Sequence, residues 1–187
     1  MKRNIIVAKK AFSPEFCEEI IKLQKNTMVK GGVGTGGDVN KKVRNSEICF
    51  FNGSVKYFQL YKPILELVSR VNNQFYEFDL FEPETFQLTK YDEKNKGFYK
   101  PHEDGFYENP PNQLVRKLSM SAQLTSPEYY EGGQLEFPDD KHNFVEEDAR
   151  EQGTVVFFPS YLKHGVQPVT KGIRYSLVSW FVGPSFR

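Results

Sequence analysis

From about residue 85 onward, the chain consists of short apolar stretches separated by turn residues. The stretches that predict strands are residues 85–91, 98–103, 117–124, 134–137, 154–159 and 173–182. Strands that follow one another without helices between them form antiparallel sandwiches or barrels, not parallel α/β sheets. The C-terminal half is therefore predicted to be a sheet sandwich.

Helical patterns are confined to the N-terminal part, after a short strand predicted over residues 4–8. Ser13 and Pro14 are typical of a helix start, because serine caps the first turn and proline fits inside it. A second helical region is predicted over residues 54–76, where Pro63 either kinks the helix or begins another one. These helices are expected to support the sheets.

The length of 187 residues is sufficient for one domain with a substantial core. The sequence shows no repeat, low-complexity segment or interdomain linker. We therefore expect a single domain over residues 1–187, with helical support over about 1–80 and a β core over about 81–187. The predicted class is α+β, mainly β.

Charge and composition exclude several classes of function. The net charge of +1 gives no electrostatic argument for a nucleic-acid partner or an anionic membrane, and no apolar run is long enough to span a bilayer. Cys17 and Cys49 are too few for a disulfide framework and indicate reduced thiols in a cytoplasmic protein. The sequence does not indicate an oligomeric state.

Residues 31–38 are rich in glycine but do not match a nucleotide-binding loop. They lack the lysine and hydroxyl pair of a P-loop and are not flanked by a strand and a helix in the required order. Two readings stay open for the segment 31–44: a flexible lid over a substrate entrance, or a solvated connector.

His102 and Asp104 form the most informative short motif, since the chain has three histidines in all. On a strand, residues two apart point to the same face. With His164 arriving from a distant strand, they would supply two imidazoles and one carboxylate. That set is a facial triad, which holds Fe(II) and leaves positions open for other ligands. The alternatives are a histidine bonded to its neighbours and an aspartate that caps a turn. His142 is expected to be a solvated loop residue.

The sequence around His164 is more specific than the H-x-D pair. Residues 153–164 read Gly-Thr-Val-Val-Phe-Phe-Pro-Ser-Tyr-Leu-Lys-His, and residues 173–184 read Ile-Arg-Tyr-Ser-Leu-Val-Ser-Trp-Phe-Val-Gly-Pro. Together with the upstream pair, this resembles the iron- and 2-oxoglutarate-dependent dioxygenases, in particular the prolyl 4-hydroxylase-like branch that includes the bacterial PKHD-type hydroxylases. The resemblance covers roughly residues 85–184.

The resemblance implies a fold, a set of cofactors and a reaction. The fold would be a double-stranded β-helix (jelly roll) with supporting N-terminal helices and the metal site at one open end. His102, Asp104 and His164 would hold Fe(II), with 2-oxoglutarate as cosubstrate, O2 as oxidant and ascorbate as an optional addition. The reaction would be hydroxylation of an unactivated C–H bond, with release of succinate and CO2. Asp104 favours hydroxylation, because related halogenases replace this carboxylate.

Arg174 lies ten residues after His164 on a strand that also places Ser176 and Trp180 on the same face. A buried arginine is costly unless its charge is met, and a planar guanidinium matches a carboxylate well. The resemblance implies that Arg174 binds the distal carboxylate of 2-oxoglutarate with help from the Ser176 hydroxyl. Trp180 would form a wall of the iron pocket, or serve as an ordinary core tryptophan.

Three further residues are candidates for the cosubstrate pocket. Tyr91 and Tyr99 match tyrosines that precede the first ligand in the resembling family, which implies a cosubstrate contact for Tyr91 and a site-lining role for Tyr99. Ser119, Ser121 and Gln123 alternate on one strand face, which would line the pocket. Gln123 stands where some prolyl hydroxylases carry a tyrosine, and we expect it to contact the cosubstrate.

The resemblance favours a prolyl residue of a peptide or protein as substrate, while a free amino acid or another small molecule remains an alternative. Two other classes of function are open. One is a noncatalytic jelly-roll module that senses metal or 2-oxoglutarate. The other is a cupin-like metal isomerase or hydrolase, which would need neither O2 nor Arg174.

Overall fold

The computed structural model describes residues 5–33, 38–51, 57–105, 114–139 and 149–185. Within these ranges the architecture consists of antiparallel sheets and two α-helices. The prediction of a mainly β protein with helices near the N-terminus is confirmed. A single domain over residues 1–187 stays a prediction.

Both helices lie where the sequence predicts them, with one correction. Helix α1 spans Pro14–Gln24, and the Ser13 side chain accepts a hydrogen bond from the backbone N–H of Phe16 at 3.3 Å, as expected for a capping serine. Helix α2 spans Phe58–Val71 and passes into a π-helical turn over Asn72–Tyr76. Pro63 is the sixth residue of α2, and the helix continues through it to Val71, so it does not begin a second helix.

The strands pair into two antiparallel sheets. In chain order they are β1 (Ile6–Ala8), β2 (Val29–Lys30), β3 (Arg44–Asn45), β4 (Glu47–Phe51), β5 (Glu82–Asp92), β6 (Phe98–His102), β7 (Val115–Gln123), β8 (Tyr130–Gly132), β9 (Leu135–Glu136), β10 (Val155–Pro159), β11 (His164–Val166) and β12 (Val169–Gly183). The larger sheet has the order β1-β10-β7-β12-β5-β4-β2, and β8 pairs with β12. The smaller sheet has the order β3-β6-β11-β9.

Several short strands of this arrangement escaped the sequence analysis. Strands β2, β3, β8 and β11 are two or three residues each, which is too short to show the alternation that marks a strand. The last strand also begins earlier than predicted, at Val169. These differences matter because β11 carries His164.

The main core lies between the larger sheet and the helices. Helix α2 buries one apolar face, and strands β7 and β12 direct alternate residues towards it, including Leu118, Met120, Leu177 and Phe181. The opposite face of the same strands carries polar residues and turns towards the smaller sheet. The period-two alternation predicted for β7 and β12 therefore separates the core from the site.

Within the described ranges, neither helix is long and apolar enough to cross a membrane.

Candidate metal and cosubstrate site

Strands β6 and β11 bring the two histidines together. They pair antiparallel with His164 directly opposite His102, so residues 62 positions apart in sequence become cross-strand neighbours. Asp104 does not lie on the strand with His102, as the i, i+2 argument assumed, because β6 ends at His102. Its position is fixed instead by the backbone N–H groups of Asp104 and Gly105, which both donate to the Ser160 carbonyl at 2.9 Å.

The three side chains converge on one point. Their nearest ligand atoms all lie within 4.8 Å of one another. The Nε2 of His102 is 3.6 Å from Oδ1 of Asp104, and the Nε2 of His164 is 3.4 Å from Oδ2. Asp104 and His164 are buried, and His102 is partly exposed. Two imidazoles and one carboxylate in this arrangement fit a ferrous ion with further positions open.

Backbone carbonyls orient both imidazole rings. The Nδ1 of His102 lies 2.9 Å from the Lys100 carbonyl, and the Nδ1 of His164 lies 2.9 Å from the Leu162 carbonyl. A carbonyl only accepts, so each Nδ1 carries the proton and each Nε2 keeps its lone pair. Metal-bound histidines commonly make this bond from the second ring nitrogen.

The local electrostatics favour the metal-binding protonation states. Burial by itself would raise the pKa of Asp104, but the neighbouring imidazoles of His164 and His102 and the hydrogen bond from Ser119 outweigh it and hold the pKa well below the usual range. Burial lowers the pKa of His164, partly offset by the neighbouring Asp104. An ionised carboxylate and a neutral imidazole are the forms that bind a cation.

The triad forms part of the wall of a large cavity between the two sheets. The cavity has a volume of about 570 Å³, within the range of small-molecule sites. Four of the other predicted site residues line it: Tyr91, Tyr99, Ser176 and Trp180. The ring of Tyr99 stacks on His102 with centroids 3.6 Å apart. The Phe158 ring lies 4.5 Å from that of His164, so the histidine has an apolar neighbour.

Arg174 and Gln123 do not line the large cavity. They line a small adjoining cavity of about 10 Å³, which shares Ser121 and Leu135 with the large one. Nε of Arg174 donates to Oε1 of Gln123 at 2.9 Å, and its Nη1 is buried without a partner. Gln123 therefore orients Arg174, and the free donor of the guanidinium fits the carboxylate of a ligand.

The segment 31–44 contributes to the large cavity through Arg44, which the sequence analysis did not single out. Arg44 is buried, donates from Nε to Ser46 Oγ at 2.7 Å and from Nη1 to the Gly32 carbonyl at 3.1 Å, and lies 4.6 Å from the Tyr99 ring centroid. A Cβ at Gly31 would lie 2.7 Å from Ser46 Oγ and 2.8 Å from Arg44 Nε. A side chain at residue 31 would therefore have to displace the side chains of Arg44 and Ser46, which are hydrogen-bonded to each other.

Trp180 forms another part of the cavity wall. Arg116 covers its ring, with Cζ 4.1 Å from the centroid, and makes a two-pronged ion pair with Glu84. The indole Nε1 is buried without a hydrogen-bond partner. Buried indole N–H groups usually have a partner, so this donor is free for a ligand.

Two expectations fall wholly or partly outside the described residues. His142 lies outside them. Of the segment 31–44, the structure describes residues 31–33 and 38–44. Whether this segment moves as a lid stays a prediction.

Comparison with known proteins identifies the family. The family model described as the 2OG-Fe(II) oxygenase superfamily matches residues 86–182, which include all three triad residues and Arg174. Among curated proteins, a PKHD-type hydroxylase of Synechococcus sp. is 35% identical over 89 residues, covering 44% of this chain and 36% of that protein. The chain thus matches about a third of the length of that relative.

Solved structures share the fold over nearly the whole chain. The viral collagen prolyl hydroxylase of Paramecium Bursaria Chlorella virus-1, solved with 2OG, aligns with a TM-score of 0.73, 20% identity and coverage of 96% of both chains. A prolyl hydroxylase of Trichoplax adhaerens, solved with a hypoxia inducible factor peptide fragment, gives a TM-score of 0.72 and 16% identity, and covers 96% of this chain and 83% of its own. The predicted double-stranded β-helix is confirmed.

Proposed function

This chain belongs to the 2OG-Fe(II) oxygenase superfamily, and from that premise we propose that it hydroxylates an unactivated C–H bond, that of a prolyl residue in a peptide or protein. The observation that carries the proposal is the convergence of His102, Asp104 and His164 on the wall of the large cavity. The chemistry that Fe(II), 2-oxoglutarate and O2 supply when bound is oxidation of C–H to C–OH, with 2-oxoglutarate converted to succinate and CO2.

The chain's own residues bind and orient the reactants. His102 and His164 offer Nε2 lone pairs, and Asp104 offers a carboxylate that stays ionised. Arg174, held by Gln123, offers the free Nη1 to the distal carboxylate of 2-oxoglutarate. This assignment explains why a guanidinium donor is buried without a partner.

Residues around the large cavity would position the cosubstrate and exclude water. Tyr91 and Ser176 line the cavity, and the Arg174 guanidinium lies 5.5 Å from the Tyr91 ring centroid, which supports a role for both side chains in binding the same ligand. Leu135, Phe158 and Val166 provide apolar wall beside the triad. Such walls strengthen electrostatic contacts at the metal and limit side reactions with water.

A peptide substrate is supported by the outer part of the cavity. Val29 and Phe50 line it and are 61% and 52% exposed, so an apolar surface continues from the cavity to the outside of the molecule. The free indole N–H of Trp180 suits a peptide carbonyl. The relatives' names agree with this substrate class, since one similar structure is a collagen prolyl hydroxylase and another holds a peptide.

The proposal is tested by product analysis with matched peptides. Purified protein is incubated with Fe(II), 2-oxoglutarate and O2, together with proline-containing peptides or the same peptides with alanine in place of proline. Mass spectrometry should detect one added oxygen atom on the proline peptides alone, with an equal amount of succinate, and Asp104→Ala should abolish both.

Two other outcomes would change the proposal in different ways. Succinate formation driven by a free amino acid but by no peptide would replace the substrate class and keep the reaction. Protein that is folded and metal-loaded but forms neither succinate nor hydroxylated product with any of these compounds would contradict the oxygenase function.

A further inference from the structure

Asp104 accepts a hydrogen bond from Ser119, a residue that has no role in the function proposed above. Ser119 Oγ donates to Asp104 Oδ2 at 2.8 Å, and Ser160 Oγ lies 2.9 Å from Ser119 Oγ. Both serines are fully buried. Buried hydroxyls keep their bonds to protein groups because water does not compete for them.

The hydrogen-bond geometry fixes the proton positions in this chain of groups. Ser119 has one hydroxyl proton and donates it to Asp104, so the bond between the two hydroxyls must be donated by Ser160. The two bonds run in one direction, from Ser160 to Ser119 to Asp104, and the first strengthens the second.

Ser160 also holds the backbone of the same ligand. Its carbonyl accepts from the N–H groups of Asp104 and Gly105, and its own N–H donates to the Lys117 carbonyl at 3.0 Å. Ser119 lies opposite Phe158 in the β7–β10 pairing, which places it beside Ser160 just beyond the end of β10. The side chain and the backbone of Asp104 are therefore both fixed by the β7–β10 pair of strands.

The Ser119 bond restrains the Asp104 carboxylate while its two oxygens face the two imidazoles. Oδ2, which accepts the Ser119 bond, lies 3.4 Å from His164 Nε2, and Oδ1 lies 3.6 Å from His102 Nε2. Without this bond the carboxylate would be free to rotate away from that orientation, and metal ligands depend on such neighbouring groups for their orientation.

We propose that Ser119, supported by Ser160, is the positioning residue that holds the Asp104 carboxylate in the orientation that binds the metal. The hydroxyl restrains Oδ2 and thereby keeps the carboxylate facing both imidazoles. This inference rests on the proposed iron site, and it assigns to two serines a role that the sequence pattern alone does not indicate.

The test measures metal affinity without turnover. Mn(II) is titrated into metal-free protein in the absence of 2-oxoglutarate, and free Mn(II) is followed by electron paramagnetic resonance. Loss of a group that orients a metal ligand typically weakens metal binding about 10- to 100-fold, so Ser119→Ala should raise the Kd by that factor. Ser119→Thr keeps the hydroxyl and should stay within about 3-fold of the wild type.

Two further variants serve as control and second test. Ser179 is equally buried and donates its hydroxyl to the Thr85 carbonyl at 2.8 Å, away from the triad. Ser179→Ala should leave the Mn(II) Kd unchanged. Ser160→Ala keeps every backbone bond of Ser160 and removes only the support for Ser119, so it should raise the Kd by a smaller factor, about 3- to 10-fold.

Thermal melting of each variant confirms that the fold is intact. An unchanged Kd in folded Ser119→Ala, while the wild type binds Mn(II), would overturn the positioning role and leave the iron site standing. If Ser119→Ala does not fold, an unchanged Kd in Ser160→Ala has the same meaning. A wild-type protein that binds no Mn(II) would overturn the iron site and this inference with it.

Discussion

Arg174 offers a way to separate a binding role from a structural one. Its side chain is 4% exposed, its Nε donates to Gln123, and its Nη1 has no partner. Among the residues that the structure describes, no carboxylate lies within ion-pair distance of it. A structural arginine at this depth would be paired, whereas one that awaits a ligand need not be.

The expected effects of Arg174→Met follow from these contacts. Removal of one partner of a buried ion pair costs about 3–5 kcal/mol. Here the substitution removes an unsatisfied N–H, which relieves about 1–3 kcal/mol, and loses one hydrogen bond of similar value. The free energy of unfolding of the metal-free protein should therefore change by less than about 1 kcal/mol. Loss of a buried contact to a ligand carboxylate costs at least about 2 kcal/mol, or roughly 30-fold in Kd.

The assay combines urea unfolding of metal-free protein with calorimetric titration of 2-oxoglutarate into Mn(II)-loaded protein. Arg174→Lys provides the matched control. It keeps the charge but loses the planar fork, so its affinity should fall between those of the wild type and the Met variant. A loss of about 3 kcal/mol or more in stability, together with unchanged 2-oxoglutarate affinity, would refute the reasoning.

Three further predictions address packing, pH dependence and cysteine reactivity. Gly31→Ala should lower the free energy of unfolding by about 1–3 kcal/mol, because its Cβ would collide with Arg44; an unchanged urea midpoint would contradict this. Because burial lowers the pKa of His164 from 6.5, the unfolded state binds more protons below that pH; metal-free protein should lose stability as the pH falls through 6.5, and His164→Gln should flatten that slope in melting experiments. Burial raises the pKa of the Cys17 thiol to about 12, so iodoacetamide should label partly exposed Cys49 and spare Cys17 in the native protein, as peptide mapping would show.

The fold was largely predictable because its signals are local and periodic. Ser13 and Pro14 mark the start of α1, and the alternation along β7 and β12 separates core residues from cavity residues. Strands β8 and β11 were missed because three residues cannot show a period of two. The resemblance located His164 although its strand was not predicted.

The site was predictable in its members but less so in its geometry. His102, Asp104 and His164 were named from spacing and resemblance, yet the strand argument that paired the first two was wrong, since β6 ends at His102. The bonds that fix Asp104 come from Ser160, 56 residues away in sequence. No local sequence pattern predicts a hydrogen bond between residues so far apart in the chain.

Two further features depend on tertiary packing and leave little trace in the sequence. Arg174 and Gln123 line a small adjoining cavity, although Ser176 and Ser121, two residues away on the same strands, line the large one. Arg44 reaches the cavity because Gly31 leaves room for it. The glycine-rich stretch was noticed, but the contact between Gly31 and the Arg44 side chain could not be predicted without the pairing of β3 with β6.

The triad is expected to bind a divalent metal to which 2-oxoglutarate then binds. Calorimetric titration of 2-oxoglutarate into anaerobic protein, either loaded with Fe(II) or Mn(II) or kept metal-free, tests this most directly, beside Asp104→Ala. We expect one binding event that requires the metal and is weakened by the substitution. Equal binding without metal, or no binding by folded and metal-loaded wild-type protein, would contradict it.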